Sequence, residues 1–315
     1  MSLIRIATRG SALALWQART VAKLLEEQGA QIEIVAIRTS GDEGSGPPDA
    51  PGANIKRMFV KEIEEALIDG RVDVAVHSSK DLPAMLPEAL TIGAALERED
   101  PRDVMLMRDG STTRDWPTVV RALGKSPAIG TTSVRRIAQL RTIVPHATFT
   151  PLRGNVDTRL RKLDAGECTA IVLASAGVTR LGLAARISAY LPIETCVPAP
   201  GQGIVAVQLR VDADRALRST VSRISDPDAE AALTAERAVV RALGGNCQMP
   251  LGAIARIDEQ ALEIFGLVAS LDGRTVVRAS IRGNRGGAAA AGEKLAARLL
   301  AQGAATILEA ARHEN

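Results

Sequence analysis

Val72-Asp73-Val74-Ala75-Val76-His77-Ser78-Ser79-Lys80-Asp81-Leu82-Pro83 is the stretch on which the reading of this chain turns. Val72 to Val76 has the apolar, β-branched character of a strand buried within a sheet, and the run then becomes abruptly polar. In open α/β sheets the ligand crevice lies beyond the carboxyl ends of the strands. His77 to Asp81 would stand there, with Lys80 as an anion contact and Asp81 as an acid/base carboxylate. The same residues also read as a solvated turn capping the next element.

The pattern extends in both directions. Upstream, Ile4 to Thr8 alternates as a strand, Ser11 opens a helix from Ala12 to about Gln28, Ile32 to Arg38 is a strand, and Phe59 to Asp69 is helical. Between them, residues 41–54 are rich in Gly, Ser, Pro and Asp, a long loop that serves equally as a lid or as a surface excursion. Downstream, Val104–Met107, Ala128–Ile129 and Ile171–Leu173 are strands, each followed by a helical stretch. The class is α/β with mostly parallel sheets. Turn-rich Glu99–Asp103 and Pro198–Gly203 flank the middle block, so a middle domain is expected to be inserted into the first, with a hinge between them. A helix over Pro227–Leu243, strands at Ala253–Ile257, Leu262–Leu271 and Thr275–Ile281, and a final helix from about Ala288 to Ala311 predict a small α+β domain. The expected division is 1–98 with 198–215, 99–197, and 216–315.

Composition narrows the function. Apolar residues at 46% and charged residues at 24% describe a soluble globular chain, with no apolar run long enough to span a bilayer and no signal-like start. The expectation is a cytoplasmic protein without membrane contact. Net charge is only +3, but 32 of the 39 basic residues are arginine. Gly130 to Lys162 holds Arg135, Arg136, Arg141, Arg153, Arg159, Arg161 and Lys162 against the single acid Asp157. Arginine's planar fork suits carboxylate or phosphate. Six aromatic residues in the whole chain are too few for single-strand stacking, and no helix-turn-helix or zinc-finger spacing is present, so no nucleic-acid partner is expected. Three cysteines, three histidines and no Cys-x-x-Cys argue against a disulfide framework and a metal centre.

Two anion sites stand out within the arginine-rich block. Gly130-Thr131-Thr132-Ser133-Val134-Arg135-Arg136 follows a strand and opens a helix, offering backbone amides, three hydroxyls and two guanidiniums. Capping by Thr or Ser beside ordinary surface arginines is the alternative. Leu152 to Arg159 repeats the arrangement with Arg153 and Arg159, which suggests a ligand bearing several negative groups. Later, Leu243-Gly244-Gly245-Asn246-Cys247-Gln248-Met249-Pro250 sets Cys247 on a glycine-rich turn, where a thiol is either an exposed nucleophile or simply buried.

Taken in order, these motifs carry a resemblance. Ile6-Ala7-Thr8-Arg9-Gly10-Ser11, Trp16-Gln17-Ala18, Val76 to Pro83, Glu97 to Asp103, Gly130 to Arg136, Leu152 to Arg159, Pro198 to Gly203 and the Cys247 turn together resemble the porphobilinogen deaminase (hydroxymethylbilane synthase) family over nearly the whole chain. The resemblance is weakest in the last ~70 residues, which are read by pattern alone. It implies two lobes like those of periplasmic binding proteins, plus a third domain carrying the cysteine. It implies a dipyrromethane cofactor held by a thioether to Cys247. Four porphobilinogen units are then joined head to tail with loss of ammonia, and hydrolysis releases linear hydroxymethylbilane.

The residue roles follow by match. Asp81 matches the catalytic carboxylate, assisting proton transfer and stabilising the cationic azafulvene and pyrrole nitrogens. Arg9, Arg135, Arg136, Arg153, Arg159 and Arg180 would meet the acetate and propionate groups of the growing chain. Ser11, Ser78, Lys80, Thr131, Thr132 and Ser133 match positions contacting cofactor or substrate. Phe59 matches a phenylalanine near the chain, and Gln202 and Gly203 lie at the second crossing. Where the family often has Gly-Lys-Gly-Leu-Phe, this chain has Ile55-Lys56-Arg57-Met58-Phe59, a departure that sets the lid's path and mobility apart from what the resemblance implies. A non-catalytic solute-binding module or a regulatory ligand domain could share the two-lobed shape, but neither needs both Asp81 and Cys247. Family members act as monomers, and the same is expected here.

Overall fold

The structure, a computed structural model, describes residues 3–39, 60–108, 110, 115–244 and 249–313. Phe59, Cys247 and the lid reading over residues 41–58 lie outside the described residues.

The chain begins with β1 (Leu3–Arg9), α1 (Ala12–Glu27), β2 (Gln31–Ile37), α2 (Lys61–Ile68), β3 (Val74–Ser78) and β4 (Leu90–Ala95). It crosses to β5 (Asp103–Met107), α3 (Trp116–Ala122), β6 (Ala128–Gly130), α4 (Val134–Arg141), β7 (Thr148–Thr150), α5 (Val156–Asp164), β8 (Ala170–Ala174), α6 (Ser175–Arg180) and β9 (Ala189–Tyr190). A second crossing leads back to β10 (Val205–Arg210). Two five-stranded sheets result, in the orders β2-β1-β3-β10-β4 and β7-β6-β8-β5-β9.

Each sheet holds two parallel and two antiparallel pairings, a more mixed arrangement than the strand–helix alternation predicts. The reversed strand is β10 in the first sheet and β5 in the second. Both arrive from the other sheet, so each enters at the edge where its neighbours finish and must run against them. This geometry brings the carboxyl ends of the parallel strands and both crossings to one place, and β4, β7, β9 and β10 are strands the periodicity alone did not reveal.

Alternation along the strands covers both faces of each sheet. In the first, Ile4, Ile6, Val74 and Val76 meet Ala18, Val21 and Leu25 of α1, while Ala7 and Ala75 meet Ile63 and Leu67 of α2. In the second, Met105 and Met107 pack with Ile129 and Leu140, and Val104 and Leu106 with Leu160, Leu163 and Ile171. Burying apolar side chains on both faces is what a sheet sandwiched by helices requires.

After β10 come α7 (Arg215–Ser222), α8 (Pro227–Ala242), the meander β11 (Leu251–Asp258), β12 (Ala261–Ala269) and β13 (Val276–Asn284), then α9 (Ala288–Ala301) and α10 (Ala304–His313). Asp226 caps α8 by accepting from Ala229 N at 2.7 Å, with Pro227 in the first turn. The antiparallel sheet carries α8, α9 and α10 over a core of Ala235, Val239, Ile264, Leu295 and Leu299. The single final helix of the sequence reading is two helices, because Gly303 adopts φ +97 between them. Among the described residues, no helix is long and apolar enough to cross a membrane.

Candidate active-site cleft

Asp81 ends a tight helical turn, Ser79–Asp81, directly after β3. It lines a small cavity with Arg9, Ser11, Gln17, His77 and Ser78. Parallel pairing of β1 with β3 explains the grouping, since it sets the two strand ends, Arg9 and Ser78, side by side. Ser11 caps α1, accepting from Ala14 N at 3.4 Å. Buried Gln17 donates from Nε2 to Ser78 Oγ at 2.8 Å, fixing that hydroxyl. The His77 ring is buried at the edge of this cavity, where Nε2 donates to Gln208 Oε1 at 3.1 Å and Gln208 Nε2 donates to Glu64 Oε1 at 2.9 Å. Burial pushes the His77 ring down to about 4, against the opposing pull of Gln208 and Asp81. It is therefore neutral at physiological pH and supports the turn, leaving Asp81 as the carboxylate at this strand end.

A second network joins the Asp81 turn to both crossings. Lys80 Nζ donates to Gln202 Oε1 at 3.3 Å. Gln202, 1% exposed, donates from Nε2 to Pro101 O at 2.7 Å and to Asp103 Oδ1 at 3.0 Å. Asp103 is fully buried and is the hub. Arg135 Nη1 reaches its Oδ2 at 2.7 Å, and Arg136 gives its Oδ1 both Nη2 at 2.7 Å and Nε at 3.0 Å. Burial alone would raise this carboxyl, but Arg135 and Arg136 hold it far below the usual carboxylate range. Cys196 Sγ also donates to Asp103 at 3.3 Å, and burial beside that carboxylate pushes the thiol up to about 12. Arg135 continues to Val197 O at 2.6 Å and Arg136 to Val172 O at 2.8 Å, so every side-chain nitrogen of Arg136 meets a protein acceptor.

The other expected residues take distinct positions. Ser133 caps α4, accepting from Arg136 N at 3.5 Å, and buried Thr131 accepts from Ser133 N at 3.2 Å. Thr132 and Arg153 are exposed. Arg159 donates from Nε to Gly154 O at 2.8 Å, and burial together with the charge of Arg136 brings it down to about 10, with Asp81 pulling the other way. Arg180, at the end of α6, donates from Nη2 to Gly203 O at 2.7 Å and lies 5.4 Å from the Trp16 ring on α1. Its buried Nε has no partner among the described residues. Leu13 of α1 would lie 3.4 Å from a methyl group placed on Gly177 of α6. The two sheets thus meet across Arg180, Trp16 and Gly203, and Gly203 itself sits at φ +90 against the Glu99 carbonyl oxygen, where no side chain fits.

The sequence reading assigned no part to several residues that build this junction. Glu236 is fully buried on α8, where it accepts from Arg98 Nη2 at 2.8 Å, Gly201 N at 2.6 Å and Ala255 N at 2.7 Å. It ties the first crossing, the second crossing and β11 to one carboxylate. Arg98 Nη1 donates to Ala255 O at 3.0 Å. Gln139 accepts from Val197 N at 2.7 Å. Two signals were available: an acid opening the apolar run Asp103 to Met107, and a lone acid on the apolar stripe Ala232, Ala235, Glu236, Val239.

Fold and site together define an α/β protein of two mixed sheets, in which Asp81 and Arg9 share a small cavity at the ends of two parallel strands and Glu236 ties a third unit to both crossings. Residues 4–218 match the family model described as porphobilinogen deaminase, dipyromethane cofactor binding domain, and residues 231–301 match the model for its C-terminal domain. Curated relatives include porphobilinogen deaminase of Syntrophomonas wolfei, 46% identical over 312 residues covering 98% of both chains. That of Bordetella parapertussis is 46% identical over 308 residues, covering 97% of this chain and 95% of its own. Among solved structures, a methionine-binding protein, MetQ, aligns with 70% of this chain and 89% of its own at TM-score 0.45 and 12% identity. The chain belongs to the porphobilinogen deaminase family, and it is a transferase of that kind with a dipyrromethane-cofactor-binding domain.

Proposed function

We propose that the cleft joins porphobilinogen units head to tail on a dipyrromethane primer held by a thioether to Cys247, releasing ammonia and then hydroxymethylbilane. The observation that carries this reading is the pairing of one carboxylate, Asp81, with Arg9 in the cavity between two strand ends. The residues present fit a carboxylate-bearing bipyrrole: Arg9 lines the cavity beside Asp81, and the buried Arg180 Nε has no partner among the described residues. When bound, the primer would supply the nucleophilic pyrrole carbon that takes the first unit.

The chain's own groups do the rest. Asp81 relays the proton as the aminomethyl group leaves and stabilises positive charge at the pyrrole nitrogens, which the surrounding arginines would otherwise oppose. Arg9, Arg153, Arg159 and Arg180 take acetate and propionate groups, with Ser11, Ser78, Thr131, Thr132 and Ser133 as shorter donors and Phe59 near the chain. Lys80, Gln202 and Gly203 hold the turn to the crossings, and Arg135 and Arg136 shape the second lobe around Asp103. The functional division is 1–98 with 198–215 for the lobe of Asp81, 99–197 for the arginine-rich lobe and 216–315 for the cysteine. We read the enzyme as a cytoplasmic monomer working without nucleic acid, on the strength of its few aromatics and its balanced charge.

Intact-mass spectrometry tests the proposal. The native chain should carry an addition equal to two linked pyrrole units, either as purified or after incubation with porphobilinogen, and Cys247→Ala should carry none. A bare mass after incubation, or an unchanged addition in the variant, would refute the anchor.

A further inference from the structure

A cavity of about 320 Å³ lies apart from the cleft, between the edge strand β4 and helix α8. Its helix wall is a single stripe, Glu230, Leu233, Thr234, Arg237 and Arg241, on the side of α8 turned away from the core of the third sheet. Leu233 packs on Ile92 and Ala95 and closes one end. Arg237 bounds the same space, donating from Nη2 to Pro83 O at 2.8 Å and Ala84 O at 3.0 Å. Helix and strand diverge between these fixed points, and the wedge between them is the cavity.

Its chemistry is amphipathic. Ile92, Leu86 and Leu233 supply an apolar wall, and Thr91 and Thr234 supply hydroxyls. The Arg241 guanidinium has no hydrogen-bond or ion-pair partner among the described residues. The one acid, Glu230, already accepts from Ser225 Oγ at 3.3 Å. A volume near the lower end of the roughly 300–1,000 Å³ typical of small-molecule sites suits one ring with a short acid chain.

We propose that this cavity binds a small amphipathic monocarboxylate, its carboxylate on Arg241 and its apolar body against Ile92 and Leu233. The carbonyls that Arg237 holds lie two and three residues beyond Asp81. On the reading that Asp81 is the catalytic carboxylate, an occupied cavity alters kcat and leaves the KM for porphobilinogen unchanged.

The probe is para-fluorophenylacetate, followed by fluorine NMR on the cofactor-loaded enzyme, with steady-state kinetics in parallel. Saturable binding is expected, weakened about tenfold or more by Arg241→Ala, which removes a charge-assisted contact. It should be abolished by Thr234→Trp, which fills the wedge from an exposed helix position. Circular dichroism melts establish that both variants fold, and Arg241→Ala suffices should Thr234→Trp not. A titration that stays linear, or binding equal in wild type and Arg241→Ala, overturns the site. Competition with porphobilinogen would place the probe in the cleft and overturn it as well. Saturable binding with kcat unchanged overturns the coupling. The NMR arm needs no turnover, so an enzyme that fails to make hydroxymethylbilane would count against the proposed function and leave the cavity to be judged by binding.

Discussion

Replacing Asp103 by Asn tests whether the buried cluster at the crossings organises the molecule. The carboxylate has no exposure and accepts from Arg135, Arg136, Gln202 and Cys196. Asparagine keeps the volume, but one carboxylate oxygen becomes an amide nitrogen. That nitrogen faces either Arg135 Nη1 or Arg136 Nη2, each 2.7 Å from its present acceptor, so donor meets donor. Two guanidiniums, 5% and 7% exposed, then lose the carboxylate they share. Breaking a buried pair by removing one partner costs about 3–5 kcal/mol, a large part of a typical folding free energy of ~5–15 kcal/mol. At about 2–4 °C per kcal/mol, the melting temperature should fall by roughly 6–20 °C in differential scanning calorimetry.

The pH dependence supplies an independent check. The folded carboxyl lies far below its unfolded value, so its contribution is fully present above the unfolded pKa and is lost as pH falls through the folded one. The gap between wild type and Asp103→Asn should stay constant from neutrality down to about pH 5 and narrow below about pH 4, near the unfolded value. The double variant with Arg136→Met should cost less than the two single changes added, because the groups share one network. A melting temperature within about 2 °C of wild type, or strict additivity, would refute the reasoning.

Other outcomes follow from the same geometry. Asp81→Asn should keep the fold and lower turnover by ~10²-fold or more, measured as hydroxymethylbilane formation, and near-normal turnover would remove Asp81 from its role. His77 is held neutral down to about 4, so wild type should lose roughly 3 kcal/mol of stability as pH falls from about 6.5 to 4, when only the unfolded chain takes up the proton. Urea melts of His77→Gln should lack that component. Gly203→Ala should destabilise by more than about 1 kcal/mol, since the new Cβ meets Glu99 O at φ +90. A chemical melt showing no change would refute the clash. In the native protein Cys168 and Cys196 should resist iodoacetamide, as both are buried with thiols shifted upward, and peptide mapping should find them labelled only after denaturation.

Much of this molecule can be read from residue order alone. Alternation and helical period locate β1, α1, β3, β5, β8 and α8 to within a few residues, because each buries a face whose period the side chains record. Strand ends are equally legible, which is how Ser78 to Asp81 and Thr131 to Ser133 are read as candidate ligand contacts, whereas Arg9 and Cys247 are named through matched motifs. β10 was hidden because it is reversed and buried between β3 and β4, a placement that depends on the return crossing.

What residue order could not determine is which charges answer one another. Arg135 and Arg136 read as ligand contacts from their helix, yet Asp103 lies 32 and 33 residues upstream and meets both. Glu236 joins segments 35 and 138 residues away and leaves no local trace except an acid on an apolar stripe. A side chain's periodicity reports what its own element buries, whereas the partner of a buried charge is chosen by where two distant strand ends converge. The chain specified the elements and the chemistry available at their ends. Folding decided that Arg135 and Arg136 answer Asp103, while Arg9 stands beside Asp81.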